Sequence, residues 1–297
     1  MRSSVKRLIV NADGFGFTFG NNRAILEVLE HGFVRSVSVN VTWPAVKEVS
    51  VLVRQFPHVS VGIHLNLSVG PPILPAKEIP SLVGANGEFL GAPEFRRRSL
   101  RRQFDVGEMK RELRSQIARL RYLGVRVSHW DSHQGQHLYP GFFEAVLAVA
   151  RAEGILASRT HRYYLIVPPG PRLRGVAVFY LRNPRQVVTH ALAAQRMRTV
   201  RRAGIRLPDH RLVLAPLGPA AVYQPEAWNL LLSQAPEGLN FVECHPGYVD
   251  DDLRKFSTLL ESRERERELF SDPLWGKRAA AAGVEVVSYH ALLGTPD

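Results

Sequence analysis

The sequence predicts an α/β fold in which a parallel sheet curls into a distorted (β/α) barrel with an incomplete count of strands and helices. Short β-rich hydrophobic runs alternate with helical patterns along the chain, an order typical of a parallel sheet covered by helices. Four of these runs end abruptly in Asp or His, as strands do when they carry functional groups at one rim of a barrel. The 297 residues, 45% of them hydrophobic, can bury one large core, so we expect a single domain over residues 1–297.

The first strand and helix patterns alternate within the first seventy residues. Strand patterns cover 5–12, 34–41 and 59–67, and helical patterns cover 22–31 and 45–56. Gly32 is a stop signal for the first helix, and Pro57 ends the second. A long loop follows at about 70–105, with five prolines among its residues. Because loops of this length are usually functional, we expect it to form part of a substrate cleft.

The remaining segments continue the alternation. Residues 107–122 carry an apolar stripe at helical spacing, formed by Met109, Leu113, Ile117 and Leu120. The later helical patterns are at 142–152, 186–203 and 225–233, and from 261 toward 282. The later strand patterns are at 125–132, 212–217, 239–244 and 284–289. About seven strand and helix units result, which fits a barrel with gaps.

The net charge of +12 is concentrated in two segments. Residues 96–126 hold eleven Lys or Arg against three acidic residues, and residues 159–211 hold twelve Arg against Asp209 alone. We interpret the second segment as a basic insertion and both as solvated surface. A nucleic-acid partner is not expected, because no zinc-finger spacing, aromatic RNA-binding motif or recognition helix accompanies the charge.

Two features of the sequence limit where the protein can be located and which residues can bind a metal. Met1–Ser4 lead directly into the first strand pattern, and no run approaches the ~18 apolar residues of a membrane span, so we expect a cytoplasmic protein with no membrane partner. Cys244 is the only cysteine, which excludes an internal disulfide and a multi-cysteine zinc site. A metal would therefore be held by His, carboxylates and water.

Polar side chains recur at the ends of the strand patterns. Alternate residues of a strand share a face, so Asn11 can point with Asp13, His64 with Asn66, and Asp131 with His133. Each pair offers a functional residue with a polar neighbour that can support it. A lone His at a strand end is more often structural, but four such ends in one chain favour a shared site.

Two further arrangements are weaker. His133 and His137 have the spacing of helical zinc motifs, but Gly135 between them favours a loop. Cys244 faces away from the side shared by Glu243 and His245, so a Cys-His nucleophile pair is geometrically poor.

Four ordered motifs resemble the YdjC-like carbohydrate deacetylase family. They are NADGFG at 11–16, GIHL at 62–65, DSH at 131–133 continuing to His137, and CHP at 244–246, and the similarity runs from about 7 to 269. The resemblance implies a catalytic domain that removes acetyl groups from N-acetylated sugars or small oligosaccharides with a divalent metal, Mg²⁺ or Zn²⁺. It also implies a homodimer, since family members often associate in pairs.

The resemblance also implies roles for individual residues. His64 and His133 become the metal-binding histidines, Asp13 the general base, and His245 the acid that protonates the departing amine. Arg159 and Arg265 match basic positions that orient Asp13 or substrate hydroxyls, and His137 is grouped with them as a substrate-binding residue.

Gly14 departs from the family motif, which reads NADDFG. The second Asp of that motif completes the metal site, whereas glycine supplies no ligand and leaves two imidazoles with water, or with Asp13 recruited to the metal. We therefore expect weakened deacetylase activity. The alternatives are a catalytically inactive glycan-binding homologue and, less favoured, a polyanion-binding protein that uses the basic segments.

Overall fold

The computed structural model describes residues 5–294 and shows a curled sheet of eight strands. Residues 1–4 and 295–297, which are the two ends of the predicted domain, lie outside the described residues. The strands are β1 (Lys6–Phe15), β2 (Ser36–Val39), β3 (Ser60–Leu65), β4 (Trp130–Ser132), β5 (Tyr163–Leu165), β6 (His210–Val213), β7 (Gly238–Cys244) and β8 (Val284–Val287). The strand pairs are parallel. The predicted α/β class with an incomplete barrel is therefore confirmed.

The sheet curls around β1. Its order is β4-β3-β2-β1-β7-β6-β5, and β8 pairs with the first half of β1. An extended segment at 156–158 extends the sheet beyond β4, since Trp130 pairs with Ser158 and Ala157 pairs with Arg206, just before β6. The two ends of the sheet are thus brought toward each other, and the carboxyl ends of the strands meet around one opening.

Helices cover the outside of the sheet. They are α1 (Phe19–Leu29), α2 (Val49–Gln55), α3 (Ala92–Leu100), α4 (Val106–Tyr122), α5 (Phe142–Ala152), α6 (Arg172–Arg182), α7 (Pro184–Arg202), α8 (Pro225–Gln234), α9 (Asp251–Phe256), α10 (Glu261–Phe270), α11 (Trp275–Ala281) and α12 (His290–Leu293). Short 3₁₀ helices lie at Pro44–Glu48, Ala76–Glu78, His133–Leu138, Ala215–Leu217 and Ala221–Tyr223. Among the residues described, none of these helices combines the length and apolar character needed to cross a bilayer.

Two apolar clusters lie on the two faces of β1. Leu8 and Val10 belong to the large core between the sheet and the helices. Ile9 belongs to a smaller cluster with Phe241 and Tyr289, inside the barrel. Side chains alternate along a strand, so Asn11 and Asp13 continue the inward row begun by Ile9. The barrel interior therefore changes from apolar to polar toward the carboxyl ends of its strands.

Several predicted boundaries were wrong. The regular part of the strand predicted at 125–132 is only Trp130–Ser132, because residues before it pair irregularly, with the Ser128 side chain bonding to the Val61 carbonyl. The helix predicted at 45–56 begins as a 3₁₀ turn at Pro44. The loop predicted at 70–105 contains α3, and the basic insertion at 159–211 contains α6 as well as the predicted α7.

Candidate active site

A cavity of about 930 Å³ opens at the carboxyl ends of the strands. Five residues singled out in the sequence line it: Asp13, His64, His133, Arg159 and His245. They come from β1, β3, the segment after β4, the segment before β5 and the residue after β7. Residues far apart in the sequence are thus brought together, as expected for the catalytic rim of an α/β barrel.

Asp13 is held as an ionised carboxylate at the end of β1. Its Oδ1 accepts a hydrogen bond from Asn11 Nδ2 at 2.6 Å, and its Oδ2 accepts one from Arg159 at 2.7 Å. Burial alone would raise the pKa of Asp13, but the guanidinium of Arg159, with His64 and His245, outweighs burial and holds the pKa below its ordinary value. The carboxylate can therefore accept a proton only when the reaction supplies a strong driving force.

Asp131 lies beneath Asp13 and is fully buried. Its Oδ1 lies 2.6 Å from His64 Nδ1, and its Oδ2 accepts hydrogen bonds from Ser38 Oγ, at 2.6 Å, and from Arg159. Burial opposes ionisation, but Arg159 and His64 hold the pKa of Asp131 well below its usual range. An ionised carboxylate at this distance accepts a hydrogen bond from the Nδ1–H of His64, and this tautomer leaves the Nε2 lone pair available to bind a metal.

His64 and His133 stand edge to face, with ring centroids 5.8 Å apart. The His133 ring also stacks on Phe17, with centroids 6.4 Å apart. Burial lowers the pKa of His133 to about 3, so this imidazole is neutral near pH 7, the form that binds metal ions.

The donor set fits a divalent ion. Asp13, His64 and Asp131 each offer an atom within 4.8 Å of the others. Both oxygens of Asp13 and of Asp131 already accept hydrogen bonds from neighbouring side chains. Nitrogen and carboxylate ligands suit Zn²⁺, and carboxylates suit Mg²⁺. His133 does not belong to this group of three, although its ring centroid lies 5.8 Å from that of His64.

His245 lies beside Asp13. Its Nε2 is 3.9 Å from Asp13 Oδ2, and its side chain is about one third exposed, at 32%. Its backbone N–H donates to Glu266, and burial raises the pKa of Glu266 to about 7. Burial also lowers the pKa of His245 to about 3, so the imidazole is neutral until a proton is delivered to it.

Gly14, which replaces the second Asp of the family motif, lies next to a buried arginine. Gly14 has a φ of +98°, at a point where the register of β1 with β2 shifts. A Cβ added there would lie 3.7 Å from Asn21 Nδ2 and 4.0 Å from Arg263 Nη1. Arg263 is only 5% exposed and lines the cavity. A positive charge therefore lies beside the place where a metal-binding carboxylate would stand.

Two of the residues predicted to bind substrate, His137 and Arg265, lie outside the cavity lining. His137 is fully buried, with Nδ1 2.6 Å from Ser132 Oγ. Arg265 lies on the outer side of α10, where its half-exposed side chain pairs with Glu261. Asp131 was predicted only as a polar neighbour that could support His133, whereas in the structure it contacts His64. Arg263 was not assigned a role from the sequence. Cys244 is buried, and burial raises the pKa of its thiol well above the ordinary value, so it supplies no thiolate nucleophile.

Three further arginines line the cavity. Arg96, Arg196 and Arg211 line it in addition to Arg159 and Arg263. Of the three, Arg211 is paired with a carboxylate of the cavity wall, Glu243. The cavity lining therefore carries five guanidinium groups against the carboxylates of Asp13 and Glu243.

A curled parallel sheet that gathers carboxylates, neutral imidazoles and buried guanidinium groups in one cavity defines an α/β barrel with an enzyme-type site. The chain belongs to the YdjC-like family, because the family model described as YdjC-like protein matches residues 7–280. The resemblance seen in the four sequence motifs is thereby confirmed.

Individual relatives agree with this assignment. A Geobacillus stearothermophilus protein named carbohydrate deacetylase is 28% identical over 286 residues, which cover 95% of this chain and 96% of that protein. A Serratia marcescens chitooligosaccharide deacetylase is 36% identical over 151 residues, covering 50% of this chain and 58% of the relative. A crystal structure from Enterococcus faecalis V583, described as a putative cellobiose-phosphate cleavage protein, superposes with a TM-score of 0.77 at 25% identity, covering 97% of this chain and 99% of that one.

Proposed function

We propose that the protein is a carbohydrate deacetylase, a carbon–nitrogen hydrolase that cleaves the acetamide of an N-acetylated sugar or small oligosaccharide with the help of Mg²⁺ or Zn²⁺. The single observation that carries this proposal is the convergence of Asp13, His64, His133 and His245 in one cavity. The names of the full-length relatives supply the substrate class.

The residues of the chain account for the proton transfers. Asp13 takes a proton from the attacking water, whose oxygen bonds to the acetyl carbon. His245, 3.9 Å from Asp13, receives that proton and delivers it to the sugar nitrogen as the C–N bond breaks. The products are acetate and a free amine. A divalent ion held by His64 and His133 would supply a lowered water pKa and polarisation of the carbonyl.

Arg159 keeps the base in its working state. It contacts both Asp13 and Asp131, so it maintains two buried carboxylates as anions. Asp131 in turn fixes the tautomer of His64. These two residues position the reacting groups.

A glycan-binding protein without hydrolysis is the second candidate. The specific observation that favours it is Gly14 beside Arg263, which removes an anionic ligand and leaves a positive charge near the metal-binding residues. The same cavity would still accept a sugar.

The test is acetate release from N-acetylglucosamine oligomers with added Mg²⁺ or Zn²⁺. We expect release by the native chain, a loss of roughly 100-fold or more in Asp13→Asn, and no change in Arg265→Gln, whose side chain lies outside the cavity. Oligomer binding in calorimetry without acetate release would establish the glycan-binding alternative instead.

A further inference from the structure

Helices α6 and α7 form a hairpin whose outer side is apolar and exposed. Of the thirteen large apolar side chains exposed among residues 5–294, six lie in these two helices. They are Leu173 (86% exposed), Val178 (37%), Leu181 (80%), Val187 (50%), Val188 (61%) and Leu192 (56%). Isolated exposed leucines need no explanation, but a concentrated set of this kind marks an interaction surface.

The inner side of the hairpin packs against the barrel. His190 stacks on Tyr163 at 4.0 Å between centroids, and its Nδ1 lies 3.0 Å from the hydroxyl of Tyr180. Val188 and Leu192 are four residues apart on α7, on the side of that helix away from His190. Leu173 and Leu181 are at least 80% exposed, so they take little part in the contacts that hold the hairpin to the barrel.

The charge of the hairpin has one sign. Between Glu153 and Asp209 the sequence contains eleven arginines and no acidic residue. Arg174, Arg182 and Arg185 are exposed among the apolar side chains. Exposed apolar side chains next to arginines offer the two attractions that hold a protein on an anionic bilayer, which are burial of apolar area and pairing with anionic headgroups.

The apolar surface is continuous with the mouth of the catalytic cavity. Leu192 and Arg196 of α7 line that cavity. On other sides of the mouth, Leu100 and Leu259 also line it while being 57% and 47% exposed. The rim of the opening is thus apolar and basic, like the hairpin.

We propose that the outer face of the α6–α7 hairpin, together with this rim, docks on the surface of an anionic lipid bilayer, with the cavity opening toward the lipid. This proposal departs from the sequence-based expectation of no membrane partner and does not depend on the deacetylase chemistry. Anionic headgroups supply the negative charge that the segment lacks, and the apolar side chains reach the acyl boundary. A second copy of the same face would instead oppose arginine with arginine.

The test is co-sedimentation of the full chain with vesicles of phosphatidylcholine, alone or mixed with phosphatidylglycerol. We expect binding to the anionic vesicles, weakened by salt, and much weaker binding to the neutral ones. The double variant Leu173→Ser/Leu181→Ser should lower the affinity roughly tenfold or more, because two inserted side chains are lost. Both residues are at least 80% exposed, so the fold should tolerate the change.

Tyr122→Ser is the matched control, since Tyr122 is 90% exposed on α4 and lies outside the hairpin and the cavity lining. It should bind the vesicles like the native chain. Failure of the native chain to bind anionic vesicles, or equal binding by the double variant, would overturn the proposal. Light scattering that showed the native chain to be a dimer, and the double variant a monomer with unchanged vesicle binding, would assign the face to dimerisation instead. Binding of DNA without binding of vesicles would also overturn the proposal.

Discussion

At the scale of single residues, the site is organised by one buried guanidinium. Arg159 contacts both Asp13 and Asp131, and it is the largest influence that lowers the pKa of each. Two buried carboxylates so close together would otherwise resist ionisation. The base, and the residue that fixes the tautomer of His64, therefore share a single counter-ion.

We predict that Arg159→Met destabilises the fold by about 3–5 kcal/mol, because it leaves buried carboxylates without their partner. The depressed pKa of Asp13 contributes stability above the ordinary carboxyl pKa, and this stability is lost as the pH falls through the folded-state pKa. The variant should lose that contribution at neutral pH. Urea unfolding at pH 7 measures the effect, with Arg265→Met as the exposed control. Equal loss in both variants would contradict the role of Arg159.

Gly14 and Arg263 should be coupled in metal binding. Gly14→Asp adds a carboxylate, but it must adopt a φ of +98° and stands beside the Arg263 guanidinium, so it pairs with that cation. We predict that Gly14→Asp/Arg263→Gln raises divalent-metal affinity by at least the roughly tenfold that a supporting residue contributes, and by more than Gly14→Asp alone.

Calorimetric titration with Zn²⁺ and Mg²⁺ measures that coupling. Gly14→Asn/Arg263→Gln is the matched control, because it has the same backbone strain and size without the charge. If the aspartate and asparagine variants bound the ions alike, Gly14 would have no part in metal affinity.

The sequence identified the strand-end residues because a strand places alternate side chains on one face, and parallel strands end at one rim. It did not identify Arg263, two residues from the predicted Arg265. The segment that becomes α10 reads as a nearly continuous run of charges, so no apolar stripe shows which arginine faces inward.

At the scale of elements, prediction succeeded where local signals were strong. Helix α4 was placed to within one residue of its start, since its apolar stripe is regular, and Asp105 caps its first turn by accepting from the Glu108 N–H at 3.0 Å. Helix α6 has no buried residue, so its sequence carries no apolar stripe that faces the core. The length of β4 depends on its neighbours, which sequence periodicity does not encode.

Contact between β3 and the segment before β4 requires a glycine. A Cβ on Gly62 would overlap the ring of His129, which itself stacks on Tyr289 with centroids 3.7 Å apart. We predict that Gly62→Ala destabilises the protein by about 1–3 kcal/mol through overpacking. Thermal unfolding checks this, and Gly276→Ala in α11, where nothing lies within 4 Å of the added atom, should instead stabilise by up to about 1 kcal/mol. A neutral Gly62→Ala would show that the His129 ring can move aside.

At the scale of the whole molecule, the basic segments reach the site. Each basic segment contributes arginines to the cavity lining, among them Arg96 and Arg196, and the ionised carboxylate of Asp13 lies in the same cavity. The homodimer expected from the family resemblance stays a prediction. The arrangement explains how a chain of net charge +12 can keep a site built around buried anions.

The interior is also filled with neutral histidines, and this should make the whole fold sensitive to acid. Burial is the largest cause that lowers the pKa of His129, His133, His137 and His245 to about 3, and it lowers that of His161 well below the ordinary value. The unfolded chain therefore binds more protons than the folded one between pH 3 and 6.5, so stability rises with pH in this range. Glu266, whose pKa is raised to about 7, opposes this trend because its folded form binds a proton that its unfolded form has lost. It is one group against five histidines, so the histidines determine the direction.

We predict that the free energy of unfolding is several kcal/mol lower at pH 5 than at pH 7.5, as measured by urea unfolding at both values. His137 should account for about 2 kcal/mol of this difference, because its unfolded-state pKa near 6.5 lies about 1.5 units above pH 5. His137→Asn should reduce the pH dependence by that amount, whereas His58→Asn, a change at an exposed position, should not. Stability that stayed constant over this range would mean that the histidines protonate inside the folded barrel, and the cavity would then carry a positive charge incompatible with holding a divalent ion at pH 5.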